Sequence, residues 1–388
     1  MRIVRVATIP FVVLHHLEGQ IRASVAAGHE VYVVTMQGAE VERIRALGVA
    51  GVVCVDIPRE ISPLADLVAL CGLWRAFGRL KPDLVHSITP KAGLLAAIAG
   101  WLRGVPIRLH TFTGQAWAVR SGLVRWLSRM ADRLVVRLNT RCYADSFSQR
   151  DFLVAEGICR LGELQVLGSG SLAGVDLKRF DAERLRDAAA HARARLRVSA
   201  GRKLIAFVGR VTRDKGVGEL VAAFKGLRDA SLVLVGPLEP ERDPLAPETL
   251  SEIERNPAIH AIGYDPEPER YLAAADLLCL PSYREGFGIV VLEAAALGVP
   301  CVGTRITGLA DAVVDGVTGV LVPPKDAGAL RMALEGLLAD DARRRALGDA
   351  ARVRVRREFD AAAMQAGLLA EYAALESVTL GGDEHRDR

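Results

Sequence analysis

Short apolar runs alternate with longer stretches of helical spacing along most of the chain. RIVRVATI, EVYVVTM, GVVCVDI, PDLVHSI and PIRLHTF punctuate the first part, and KLIAFVG, SLVLVG, IHAIG, DLLCLP and PCVGT the second. Runs this apolar suit strands buried on both faces, and helices between them imply parallel sheets built of βαβ units. The two series predict two doubly wound α/β sheets. Between them LGSGSLAGVDLKRF is rich in glycine and serine and precedes an Arg- and Ala-rich helix, so the domain change is expected near residue 170. The expected division is residues 1–170, residues 171–357, a helix over 358–378 that completes the first domain, and a disordered tail, 379–388. The helical pattern from about 341 to 376 reads as one unusually long helix.

Composition agrees with a folded chain. Of 388 residues 51% are hydrophobic, 25% are charged and only 17 are proline, which suits two domains of roughly 150 to 200 residues each. The net charge of +4 is too small to mark a nucleic-acid binder. The 6 cysteines stand apart with no C-x-x-C pair, which argues against a zinc site or a disulfide framework and for a reducing compartment, the cytoplasm. AGLLAAIAGWL, at 92–102, is the longest apolar run without charge, and it falls short of the roughly 18 residues that a spanning helix needs. IPFVVL is likewise too short for a signal segment.

Candidate chemistry gathers in the second half. KLIAFVG ends at Gly209 and a helix is expected from about Val217, so FVGRVTRDKGV sets Arg210 and Lys215 beside a strand-to-helix turn. Open α/β sheets bind ligands at such carboxyl ends, where helix amino termini point amides outward. Two cations there suit a diphosphate, although an isolated R-x4-K also occurs as ordinary surface charge. In PSYREGFGIVVLEAAALG, Gly286 and Gly288 let the backbone approach a ligand, and a helix beginning near Gly288 aims its dipole at the same spot. Glu285 lies at the mouth of this site, and Glu293 sits roughly 7 to 8 Å deeper along the helix axis. Burying that carboxylate is costly unless something pairs with it. Two ribose hydroxyls would do so, and a buried arginine such as Arg305 is the alternative.

EGFGIVVLE, with GRVTRDKG before it and AAALGVPCVGTRITGLADAVVDGVTGVLVPPKD after it, resembles the retaining family-4 glycosyltransferases of the GT-B fold, over roughly residues 203–335. The resemblance implies two Rossmann-like domains facing a cleft, hexosyl transfer with retained configuration, a uridine-linked sugar donor in the C-terminal domain, and no cofactor or metal. It implies Arg210 and Lys215 as diphosphate ligands next to Gly209, and the backbone of Phe287, Gly288 and Ile289 as donors to the phosphates. Glu285 then stands near the donor sugar, Glu293 holds the ribose, and Gly263 and Tyr264 meet the base. The cations would stabilise the departing diphosphate as the sugar–oxygen bond breaks.

HLEGQIRASVAAGHEV, IPREISPLADL, KPDLVHSITPKAGLLAAIAG and IRLHTFTGQAW resemble the bacterial branch of that family which builds capsule, exopolysaccharide, O-antigen or glycoprotein glycans. This second resemblance implies transfer of a sugar, an N-acetylated hexosamine, to a polyprenyl-diphosphate-linked saccharide at the inner face of the cytoplasmic membrane. A soluble transferase with a small or polymeric acceptor, and a nucleotide-sugar-binding subunit without turnover, are the alternatives. Lys91 begins a helix behind Thr89 and Pro90, where a cation conflicts with the dipole unless an anion such as an acceptor phosphate is near; otherwise it extends into water. Arg59 is expected as a second anion ligand. Arg125, Arg129, Arg133, Arg137 and Arg141 recur every four residues beside Trp126 and Leu127, the pattern of a helix lying on an anionic bilayer or of one whose arginines reach solvent or acids. Many family members carry a histidine after the fifth strand. This chain has Thr113 there and His110 three residues earlier, with His15 and His16 as further candidates on the acceptor side, so no general base is assigned.

Overall fold

A computed structural model describes residues 1–58, 62–199, 201–241 and 243–383, with side chains described through residue 378. The chain divides into two compact units, Met1–Ala173 with Ala361–Arg388, and Gly174–Asp360. Among the described residues no helix is long and apolar enough to cross a membrane.

The first unit is built on β1 (Arg2–Val6), β2 (Glu30–Thr35), β3 (Gly51–Cys54), β4 (Leu84–Ile88), β5 (Ile107–Phe112), β6 (Arg141–Ala144) and β7 (Leu164–Val166). They form a parallel sheet in the order β3-β2-β1-β4-β5-β6-β7. The second unit has β8 (Lys203–Val208), β9 (Ala230–Val235), β10 (Ile259–Gly263), β11 (Leu277–Leu280), β12 (Cys301–Thr304) and β13 (Gly319–Val322), in the order β10-β9-β8-β11-β12-β13. Each order reverses once, between β1 and β4 and between β8 and β11, and those reversals are the points where doubly wound sheets bind ligands. The strand runs are apolar because both faces are covered; all six residues of β9 are buried.

The helices that matter below are α1 (Glu18–Ala26), α2 (Pro63–Leu80), α3 (Pro90–Leu102), α4 (Gly122–Leu138), α5 (Phe147–Ala155), α6 (Val217–Phe224), α7 (Glu269–Ala274), α8 (Ile289–Ala296), α9 (Asp341–Glu358) and α10 (Ala361–Asp383). The long helix expected over 341–376 is two. The chain breaks at Phe359 and Asp360, where Val175 bridges to Asp360 and its amide donates to the Phe359 carbonyl at 2.8 Å. No proline or glycine marks that break, so helical spacing alone did not reveal it. The arginine series also ends early: α4 stops at Leu138 and Arg141 opens β6. α10 returns to the first unit. There the buried Arg5 donates to Tyr372 Oη at 2.6 Å and to Gln20 Oε1 at 2.8 Å, and His86 Nδ1 lies 2.7 Å from the same Tyr372 hydroxyl.

Candidate active site

In the second unit two loops leave the sheet on either side of the β8–β11 reversal. After β8, Gly209 at φ +150° packs so closely on Gly236 that a Cβ on Gly236 would collide with the Gly209 carbonyl. The chain then runs through Arg210 to Lys215 and enters α6 through Gly216, at φ +70°, whose own missing Cβ makes room for the Pro281 carbonyl. After β11, Ser282 to Gly288 forms the facing loop. Phe287 anchors it from beneath, 1% exposed and edge-on to Phe359 at 5.3 Å between ring centroids.

This anchoring leaves the amino end of α8 open. The amides of Phe287, Gly288, Ile289 and Val290 meet no acceptor among the described residues. Gly288 adopts φ +81°, and Gly308, at φ +86°, lets the Gly286 carbonyl pass where a side chain would block it. Four unsatisfied donors with a helix dipole behind them form an anion cradle.

The cations beside the cradle are engaged. Lys215 Nζ lies 2.6 Å from Glu285 Oε1, which also accepts from Ser282 Oγ at 2.7 Å. Arg210 donates to Glu239 at 3.0 Å and to Asp214 at 3.2 Å, and Arg284 lies 3.6 Å from Asp214. Arg210, Lys215 and Arg284 thus face Asp214, Glu239 and Glu285, a matched set that an entering anion must rearrange. Asp214 sits between Arg210 and Lys215 in the motif itself, so this internal pairing was open to reading from the sequence and was missed. Tyr264, beyond Gly263 and β10, is 55% exposed.

Glu293 is treated differently. It is half-buried yet densely surrounded by protein, and no hydrogen bond or ion pair reaches it among the described residues. Burial pushes its carboxyl up to about 7, opposed by the charge of Arg179 and reinforced by Glu269. Arg305 pairs instead with Asp315 at 2.6 Å, so the arginine alternative for Glu293 falls. Arg179 and Glu269 were missed by sequence reasoning. Arg179 grips Glu269 through two nitrogens, at 2.8 and 3.1 Å, and no spacing connects residues so far apart in the chain.

Residues 190–354 match the family described as glycosyl transferases group 1, and residues 14–170 match the glycosyl transferase 4-like domain. The D-inositol 3-phosphate glycosyltransferase of Nocardiopsis dassonvillei is 31% identical over 312 residues, covering 72% of this chain and 68% of its own. The chain belongs to the group 1 glycosyl transferases. The capsular polysaccharide biosynthesis glycosyltransferase CapM of Staphylococcus aureus is 29% identical over 348 residues, 88% of this chain and 89% of that one. Among solved structures, Anabaena HepE in complex with UDP and glucose aligns with a TM-score of 0.79 at 18% identity, over 96% of this chain and 100% of that one. The fold is therefore the α/β GT-B fold, with two Rossmann-like parallel sheets.

In the first unit of this glycosyltransferase, several expectations change. Lys91 finds its anion within the protein, with Nζ 2.7 Å from Asp66 Oδ1, so no phosphate is needed to resolve its conflict with the helix dipole. Thr89 does not cap α3; its hydroxyl lies 2.7 Å from that of Thr8, across the β1–β4 reversal. His110 is a core residue, 1% exposed, 3.0 Å from Ser87 Oγ and lodged against Gly93, and burial lowers it to about 3. Thr113 is half-buried. His15 is exposed and stacked on Phe11 at 3.7 Å, and the half-buried His16 shares its π-helical turn, Val13–Leu17. Arg59 lies outside the described residues.

The arginine ridge on α4 is also corrected. Arg125 donates to Glu156 Oε1 at 2.7 Å, Arg129 to the Glu156 carbonyl, and Arg133 to the Gly157 carbonyl at 2.8 Å. They cap the carboxyl end of α5, where carbonyls and the dipole favour cations. Trp126 stays in solvent, with Leu123 and Leu127.

Proposed function

We propose that this transferase moves a sugar, an N-acetylated hexosamine, from a uridine diphosphate donor to a polyprenyl-diphosphate-linked saccharide, with retention at the anomeric carbon. The observation that carries the donor half is the open amide cradle of α8 beside Lys215 and Glu285, with the unpartnered Glu293 behind it. The diphosphate lies on the amides of Phe287, Gly288 and Ile289, Glu293 accepts from the ribose hydroxyls, and Gly263 and Tyr264 border the base. Entry of the diphosphate draws Arg210 and Lys215 from their acidic partners, which frees Glu285 to face the sugar. As the sugar–oxygen bond breaks, its electron pair goes to the diphosphate, and Arg210, Lys215 and the amides stabilise that charge. The acceptor hydroxyl attacks from the same face, and its proton passes to the departing phosphate, so the chain need supply no general base. HepE, of the same fold, binds UDP, which supports the nucleotide.

CapM, by its name a capsule-building transferase, supports a lipid-linked acceptor and a place on the inner face of the cytoplasmic membrane. Exposed Leu123, Trp126 and Leu127 on α4 are compatible with a peripheral protein. The test is release of UDP from a panel of uridine-linked sugars, with and without a polyprenyl-diphosphate saccharide and with excess EDTA. Release that requires the lipid-linked acceptor and survives the chelator is expected. Release only with a water-soluble acceptor would point to a soluble transferase, and failure of every donor to bind would overturn the reading.

A further inference from the structure

α2 is apolar on both sides. Its inner face packs Ala69, Leu73, Ala76 and Phe77 into the core. Its outer face repeats the pattern with Leu64, Leu67, Val68, Cys71 and Trp74, all in solvent, Leu64 at 82% exposure and Val68 at 71%. These positions fall at i, i+3, i+4, i+7 and i+10, one continuous stripe along three turns. A helix apolar all round is normally enclosed by protein, whereas single exposed leucines need no account. Trp101, at the end of the adjoining α3, extends the surface, and the Arg103 guanidinium lies 3.4 Å over the Trp74 ring.

Charge around the stripe is lopsided. Residues 62–103, which contain α2 and the adjoining α3, carry five Lys and Arg against two Asp and no Glu, a balance of +3 in a chain whose total is +4. Both acids are engaged: Asp66 with Lys91 and Asp83 with the Arg2 amide. Arg75 and Arg79 stand on the outer half of α2 itself, both exposed. A second copy of the chain seated on this face would set like charge against like. An anionic lipid surface meets both requirements, since acyl chains accept the stripe and headgroups accept the arginines.

We propose that the outer face of α2, with Trp101, is the surface on which this protein docks to an anionic bilayer. The inference rests on the reading of a membrane-associated transferase and moves the contact from α4, whose arginines are held by α5, to α2. Docking is shallow: the stripe enters the headgroup boundary while Arg75, Arg79 and Arg103 stay at phosphate level, as amphipathic surfaces do.

Co-sedimentation of the full chain with vesicles of phosphatidylcholine alone and of phosphatidylcholine with about one third phosphatidylglycerol tests this. The wild type is expected to pellet with the anionic vesicles, less so at high salt, and weakly with the neutral ones. The pair Leu64→Asp and Val68→Asp is expected to lower anionic vesicle affinity roughly tenfold or more, while Leu123→Asp with Trp126→Asp on α4 costs less. Unchanged affinity for UDP in every variant reports that the fold is intact. If the α4 pair abolishes pelleting and the α2 pair does not, the assignment to α2 is overturned and the peripheral reading stands. No pelleting by the wild type overturns both. A shift from dimer to monomer on substituting α2, without any effect on vesicles, would make the face a contact between copies and overturn the proposal.

Discussion

Glu285 and Glu293 belong to one loop and helix, and their surroundings treat them oppositely. Glu285 is held by Lys215 and Ser282, while among the described residues Glu293 has neither a cation nor a hydroxyl in contact. Replacing Glu293 by Ala is therefore expected to weaken UDP binding by roughly 1.5 to 3 kcal/mol, the worth of hydrogen bonds to a charged group, in calorimetric titration. Glu285→Ala should leave that affinity close to wild type and abolish turnover; the opposite pattern would exchange their roles. Because burial raises Glu293 to about 7, the carboxyl holds its proton longer in the folded chain than in the unfolded one. Stability linked to it is then full below the ordinary carboxylate range and is lost as pH climbs from there to about 7. Glu293→Gln should remove that slope, so its melting temperature relative to wild type should rise between pH 5 and 8. UDP affinity, which needs the ionised form, should increase over the same interval in the wild type and stay flat in the variant.

At the scale of elements, the cradle depends on glycines whose neighbours leave no room. A Cβ at Gly308 would run into the Gly286 carbonyl, whereas one at Gly316, at a similar positive φ of +74°, would meet nothing within 4 Å. Gly316→Ala should cost about 1 kcal/mol of backbone strain and leave UDP binding nearly intact. Gly308→Ala should displace the loop before α8 and lower UDP affinity by at least the same amount, as read by titration. Much of this architecture was legible in the sequence. KLIAFVG and DLLCLP are apolar throughout and end in turn residues, and they became β8 and β11 on either side of the reversal. β6, β7 and β13 were not among the strands expected: Arg141 fits a helical series as well as a strand, Gln165 interrupts the short apolar run of β7, and GVLV of β13 is as apolar as the runs that were recognised. The partners of Lys91 and Arg125 depend on tertiary neighbours, Asp66 and Glu156, that no local spacing indicates.

For the molecule as a whole, the chain passes between units twice, at Ala173–Gly174 and at Asp360–Ala361. The returning α10 packs Leu368 and Tyr372 into the core of the first unit and adds polar contacts: buried Tyr372 Oη serves both Arg5 and His86, and Glu371 accepts from Arg141 and from Tyr143, at 2.6 Å for the latter. Tyr372→Phe removes a buried acceptor from a charged donor and is expected to destabilise the first unit by about 2 kcal/mol. Hydrogen exchange should quicken in β1 and β4 and remain unchanged in β8 and β11. The same loss spread across both sheets would mean that the two units do not open independently.

The order of synthesis gives α10 one more consequence. A ribosome delivers the seven strands of the first sheet long before Leu368 and Tyr372, so that sheet waits with Arg5 uncovered while Gly174–Asp360, contiguous in the chain, is already able to close on itself. Folding on the ribosome should thus finish at the amino-terminal half, and nascent chains halted before residue 361 should be the ones that chaperones hold longest.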